Sequence, residues 1–269
     1  MEVIRSTKNA RISEYRLICR NGREGLVPLE GARLIIDAME SGVELKDVFA
    51  TQAFLMSENG IKVSSFLKIS GREVIFISED VSDSMGQTST PQGIYALARW
   101  NSIPFNEFKV FEDVVNAGLD LVVVLDGVSD PGNVGTLVRT SAAMGVGAML
   151  LGSQSATFTN SKVLRSSMGA VFKMKCVESE NLVDDLNILK DYGYNIVVAD
   201  RNGQSIEGYS FKYPMVLVVG GEAFGVSKEV RDVGLCDAII SIPIKENVES
   251  LNAAVAGSII IYMASKGVN

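Results

Sequence analysis

The chain has 269 residues, 47% apolar and 21% charged, with a formal net charge of −7 and no histidine. Such a chain can bury a core in one or two domains and is too apolar for a disordered one, while its overall acidity argues against a protein that coats nucleic acid generally. The lack of imidazole excludes Ser–His and Cys–His nucleophiles, His-bound metals and a histidine base.

The first 23 residues are locally basic, with Arg5, Lys8, Arg11, Arg16, Arg20 and Arg23 against Glu2 and Glu14. They contain no apolar core followed by a small-residue cleavage site. Cys19, Cys176 and Cys236 form no CxxC pair, so neither a zinc site nor a disulfide framework is expected and a reduced compartment fits. "LEGARLIIDAMESG" has helical spacing, "KDVFATQ" and "EVIFIS" read as strands, and "EDVSDSMGQTSTPQG" as a short capped helix and turn before the strand "IYALARW". This alternation predicts a small α/β domain over 1–105, and the polar stretch that follows places a linker at 106–116.

From Leu121 the apolar runs become continuous and β-branched: "LVVVLDG", "AMLLG", "NIVVAD", "MVLVVGG" and "AIISIPI". Runs of this kind belong to strands covered on both faces, hence to a mostly parallel sheet, over 117–269. Between them, "SKVLRSSMGAVFKMK" carries four basic residues, Lys162, Arg165, Lys173 and Lys175, and no acid. Two basic patches on an acidic body suit one particular polyanion. The apolar stretch Leu251–Met263 is shorter than the roughly 20 residues that span a bilayer, so a cytoplasmic protein away from membranes is expected.

Three loops follow strands of this second domain, where open α/β sheets bind ligands. They are "DPGNVGTLVRT", "GGEAFGVS" and "KENVESLNAAVAG". The middle one nearly matches the phosphate-binding pattern GxxxxGK[ST], but Val226 replaces the lysine and Glu222 would repel a phosphate. No GxGxxG follows any strand. A glycine-rich loop without basic residues suits a ligand without phosphates. S-adenosylmethionine offers an adenine to clasp, a ribose to hydrogen-bond and a sulfonium cation that tolerates carboxylates.

Taken together, "NVGTLVRTSAAMGV", "VVGGEAFGVS" and "SIPIKENVESLNAAVAGSIIIYMA", with "LRSSMGAVF" between the first two, resemble the three ordered motifs of the SpoU (TrmH-like) family of RNA ribose methyltransferases, of the SPOUT class. The resemblance covers about 120–265. More weakly, "STKNARI", "LEGARLIIDA" and "TSTPQGIYALA" look like the substrate-binding domain that many members carry.

The resemblance implies a C-terminal sheet threaded into a deep trefoil knot, a rare exception among folds. It also implies a homodimer with a site at the interface, S-adenosylmethionine as cofactor, no metal, and RNA as substrate, ribosomal ahead of transfer RNA. By motif position, Arg139 would engage the reactive ribose and its phosphate with Asn133 in support. Glu222 would orient the site, and Ser250 and Asn252 would position substrate and Arg139. Val219, Gly220, Glu222, Ile242, Pro243 and Leu251 would line the cofactor pocket. Arg5, Lys8, Arg11, Lys162 and Arg165 are the candidate RNA contacts. In local terms Ser250 reads as a helix N-cap with Asn252 in the first turn.

Because a guanidinium stays charged, a fixed cation at Arg139 that clamps the phosphate and lowers the hydroxyl pKa is physically easier than a base, the proton passing to phosphate or water. Glu246 stands where members often have glycine, and Ala253–Ala254 where Val–Ser is common. Glu246 alone supports an alternative, a catalytically silent RNA-binding protein of the same fold. A third reading is an α/β enzyme acting on an unrelated small ligand.

Overall fold

The computed structural model describes residues 3–69, 71–108, 120–232, 235–245 and 247–267. Most of the expected linker, from residue 109 on, and Glu246 therefore lie outside the described residues. The chain forms two compact units, residues 1–101 with 159–172, and residues 102–158 with 173–269.

The first unit runs β1 (Val3–Ile4), α1 (Ala10–Asn21), β2 (Leu26–Glu30), α2 (Ala32–Glu40), β3 (Glu44–Ala50), α3 (Gln52–Leu55), α4 (Glu58–Ile69), β4 (Val74–Ile77), α5 (Glu79–Met85) and β5 (Ile94–Arg99). Its five-stranded mixed sheet has the order β1-β4-β3-β5-β2. Pro28 is accommodated because β2 is an edge strand, paired only with β5. Helix α1 buries Ile12, Tyr15 and Ile18, one stripe at helical spacing, in a core with Phe49, Tyr95 and Leu97. The Tyr15 ring meets those of Phe49 and Tyr95 edge-on, at 6.1 and 5.7 Å. Burial pushes the Cys19 thiol up to about 11, which suits a packing residue better than a nucleophile.

The second unit contains β6 (Ile103–Pro104), β7 (Leu121–Asp126), α6 (Pro131–Ala143), β8 (Ala148–Leu151), β9 (Lys175–Glu178), α8 (Leu182–Asp191), β10 (Asn195–Ser205), β11 (Met215–Gly220), α9 (Lys228–Asp232), β12 (Ala238–Ser241) and α10 (Ala253–Ser265). Seven strands pair in the order β12-β10-β11-β7-β8-β9-β6, every pair parallel. The β-branched runs form its buried centre, Val122, Val124, Ile196, Val198, Val216 and Val218 among them. In a parallel sheet all carboxyl ends share one edge, so the loops after β7, β11 and β12 converge there. Helix α10 packs on α6, and Thr140 and Ser258 share a hydroxyl–hydroxyl bond of 3.0 Å across that contact. Among the described residues no helix is long and apolar enough to cross a membrane, and no group of His, Cys, Asp or Glu could hold a metal ion.

Between β8 and β9 the chain returns to the first unit, where α7 (Ser161–Ser166) packs on β2. Glu30, at the end of β2, is nearly buried and accepts from the Gln87 N–H at 3.0 Å and the Thr88 hydroxyl at 2.8 Å. Arg165 of α7 stands 3.9 Å from Glu30 and donates to Gln87 Oε1 at 2.7 Å, as does the Ser161 hydroxyl at 2.8 Å. A buried carboxylate satisfied this way organises its donors. Glu30→Ala should therefore cost about 1.5–3 kcal/mol, the usual loss for hydrogen bonds to a charged group, read as a lower urea midpoint for the transition that reports the first unit.

Candidate active site

Helix α6 starts where β7 ends because Asp130 caps it, its carboxylate accepting from the Asn133 N–H at 3.0 Å, and Pro131 fits the first turn. This cap fixes Asn133 at the sheet edge. The Asn133 Nδ2 donates to Glu222 Oε1 in the loop after β11, and its Oδ1 accepts from Asn252 Nδ2 at 3.2 Å. Asn252 Oδ1 in turn accepts from the N–H groups of Ala254 and Val255, at 3.0 and 3.2 Å, capping α10. Asn252 is thus the N-cap, which corrects the expectation of Ser250 in that role. Ala253 and Ala254, a departure from the family pattern, are buried in the first turn of that helix.

The direction of this chain of amides is fixed from one end. The helix N–H groups demand the Asn252 oxygen, so its NH2 must donate to Asn133, whose own NH2 then faces the carboxylate of Glu222. One residue from each of the three motifs is joined in a single polar line.

The loop that carries Glu222 is held by backbone contacts that only glycine permits. A Cβ at Gly220 would lie 2.1 Å from the carbonyl carbon of Gly225, and one at Gly221 would lie 2.0 Å from the Gly127 oxygen. The Gly225 N–H closes the turn on Gly221 O at 2.9 Å, and Asp126 accepts from the Ser227 N–H at 2.7 Å. Val226, which replaces the phosphate-loop lysine, is fully buried in the core.

Beside this line lies an open cleft of about 650 Å³ within the second unit. Val219, Gly220, Glu222, Ile242, Ser250, Leu251 and Asn252 all line it. Pro243 is exposed and is not among its walls, although its neighbours Ile242 and Ile244 both line it. Arg139 is exposed on α6, six residues beyond Asn133, hence about 120° away from it around the helix axis. It does not line the cleft, and it has no hydrogen bond or ion pair among the described residues.

Sequence reasoning missed one wall. The pairing of β10 with β12 slips between Ala199 and Gln204, and the bulged residues Asp200, Arg201 and Asn202 enter the cleft lining. Asp200 is paired with Arg231 of α9 at 3.0 Å and accepts from the Asn202 N–H at 2.9 Å. The turn-forming "DRNG" within β10 was the available signal. Among the described residues, three carboxylates (Asp200, Glu222, Glu249), two arginines (Arg201, Arg231) and no lysine line the cleft.

Of the candidate RNA contacts, Arg5, Lys8 and Arg11 are exposed and make no side-chain ion pair among the described residues. Lys162 is exposed on α7. Arg165 is one-quarter exposed and engaged with Gln87 and Glu30 inside the first unit.

Residues 120–262, which span all three loops, match the SpoU rRNA Methylase family. The chain belongs to that family. Residues 19–96 of this SpoU chain match the MRM3-like substrate binding domain. It is 29% identical over 266 residues to the 23S rRNA (guanosine(2553)-2'-O)-methyltransferase RlmP of Bacillus subtilis, covering 97% of this chain and 98% of that one. Its fold is similar to that of the SpoU methyltransferase AviRb of Streptomyces viridochromogenes in complex with AdoMet, with a TM-score of 0.80 at 25% identity over 96% of this chain and 98% of that one. It is also similar in fold to an AdoMet-bound rRNA methyltransferase of Sinorhizobium meliloti, with a TM-score of 0.83 at 23% identity, covering 100% and 98% of the two chains.

The two duties of Asn252 are separable. Asn252→Ala should lose the cap of α10, about 1 kcal/mol, seen as a lower thermal midpoint. Asn252→Asp keeps an acceptor for the helix and should recover most of that stability, while removing the donor to Asn133.

Proposed function

We propose that this chain transfers the methyl group of S-adenosylmethionine to a ribose 2′-hydroxyl of ribosomal RNA in the cytoplasm. The observation that carries this reading is the line Asn252–Asn133–Glu222 set at the lip of the cleft. The cleft fits the cofactor on its own chemistry. Its volume lies in the range of small-molecule sites. Val219, Ile240 and Leu251 supply apolar walls, and Gly220–Gly221 bring backbone groups to the surface of the site without side chains over them. Asp200, Glu222 and Glu249 suit a cation better than a phosphate. When bound, the cofactor supplies an already activated methyl group.

What remains for the protein is to align a poor nucleophile and to stabilise the alkoxide that develops on it. Glu222, held by Asn133, orients the substrate. Ser250, exposed in the cleft wall, and Asn252 position it. Arg139 is a permanent cation with no carboxylate partner among the described residues, suited to a substrate phosphate and to lowering the pKa of the hydroxyl beside it. Ribosomal RNA is favoured by the near full-length similarity to a methyltransferase named for 23S rRNA, and the exposed Arg5, Lys8 and Arg11 supply cations for its backbone. Retention of Asn133, Arg139, Glu222 and Asn252 together weighs against a silent binder.

The same reading makes the protein a homodimer. Helix α10 leaves Val255, Ile259 and Tyr262 exposed at i, i+4 and i+7, an apolar stripe of the kind a second copy covers. Arg139 does not line the cleft of its own chain, which is consistent with service to the cleft of a partner.

Incubation with labelled cofactor and unmodified ribosomal or transfer RNA should label one ribose of ribosomal RNA. Arg139→Ala should lower the rate at least about 100-fold, the scale of losing one transition-state donor, with S-adenosylhomocysteine affinity unchanged; full activity in a folded variant would remove Arg139 from the mechanism. Light scattering should give twice the chain mass, and Ile259→Asp should halve it and abolish methylation.

A further inference from the structure

We infer that Phe224 is a stacking platform for a base of the RNA substrate, placed at the rim of the cleft. This rests on the function proposed above and adds the residue that reads the substrate there. Phe224 is 91% exposed, more than any other large apolar side chain among the described residues. Water contact on a phenyl ring forgoes what burial would give, and here the exposure is built in. The turn that carries the ring is closed by the Gly225–Gly221 hydrogen bond of 2.9 Å, flanked by the left-handed Gly225 and anchored by the buried Val226. The ring is two residues from Glu222, and it lines the cleft.

Of the other apolar members of the lining, Val219, Ile240 and Ile260 are 3%, 0% and 2% exposed and Ile244 is 37% exposed. Phe224 is the most exposed of these walls, a ring that an incoming ligand would cover. A ribose presented to the line Glu222–Asn133–Asn252 carries its base within one nucleotide of that ring. Unpaired bases are recognised by stacking on such aromatic faces, whatever their sequence.

The test uses the full chain, its ribosomal RNA substrate and S-adenosylhomocysteine, with Phe224→Ala, Phe224→Leu and Phe224→Trp. The alanine and leucine variants should weaken RNA binding and raise the RNA KM by roughly 5- to 150-fold, the range of one base–aromatic stack, with a smaller fall in kcat. S-adenosylhomocysteine affinity should not change, and tryptophan should restore RNA binding. The inference is overturned if leucine serves as well as phenylalanine, if RNA binding is unchanged, if cofactor affinity falls instead, or if the alanine variant changes subunit association. Wild-type protein that binds RNA without methylating it would sink the proposed reaction alone, and stacking would then be judged from the RNA dissociation constants. Wild-type protein that binds no RNA would sink both.

Discussion

Asn252 performs two tasks with one amide, and the rest of the site depends on that. Its oxygen closes the N-terminus of α10, so its NH2 can only donate onward, to Asn133, and Asn133 to Glu222. The orientation of a loop carboxylate is thereby set by the unsatisfied N–H groups of a helix whose sequence lies far away. The arrangement also requires close approach of backbones: Gly220 against Gly225 tightens the loop after β11, and Gly221 against Gly127 brings it to the loop after β7. Parallel pairing of β7 with β11 and of β11 with β10 makes that convergence a property of the sheet.

A site without histidine must separate orientation from proton removal. Here the cations differ in kind. Arg231 is neutralised by Asp200 and belongs to the wall of the cleft, whereas Arg139 carries an uncommitted charge among the described residues. For the proposed reaction, a fixed cation at Arg139 can stabilise an alkoxide without changing its own protonation state.

Most of the second unit was legible because the β-branched runs of β7, β10, β11 and β12, with the short apolar run of β8, admit little other than buried strands. The strands β9, "KCVE", and β6, two residues assigned to the end of the N-terminal domain, were not. Each is short, with charged or Pro-containing ends, and is defined by its neighbour in the sheet. In the first unit β2 was hidden by Pro28 and Glu30, residues tolerated only because one lies on an edge strand and the other has buried donors. At the site, motif spacing identified Asn133, Glu222 and Asn252. It could not show that Asn252 caps the helix, that Pro243 is missing from the cleft wall, or that a slip in β10 pairing delivers Asp200 and Arg201 to the cleft. Those depend on register and on long-range contacts, which periodicity does not encode.

The path of residues 159–172 constrains how the two units can vary. The chain crosses between them not once but three times, because this segment leaves the second unit after β8 and returns before β9. Its place in the first unit is held by polar contacts of Arg165 and Ser161 with Gln87, together with the Glu30 network. The basic segment read from the sequence as a polyanion patch is therefore divided, Lys162 and Arg165 belonging to the first unit and Lys173 and Lys175 to the second. Replacement of the N-terminal residues alone would leave α7 without Glu30 and Gln87, and Glu30 without Arg165. A new substrate domain cannot be attached as a simple N-terminal cassette; it must also supply a matching surface for α7.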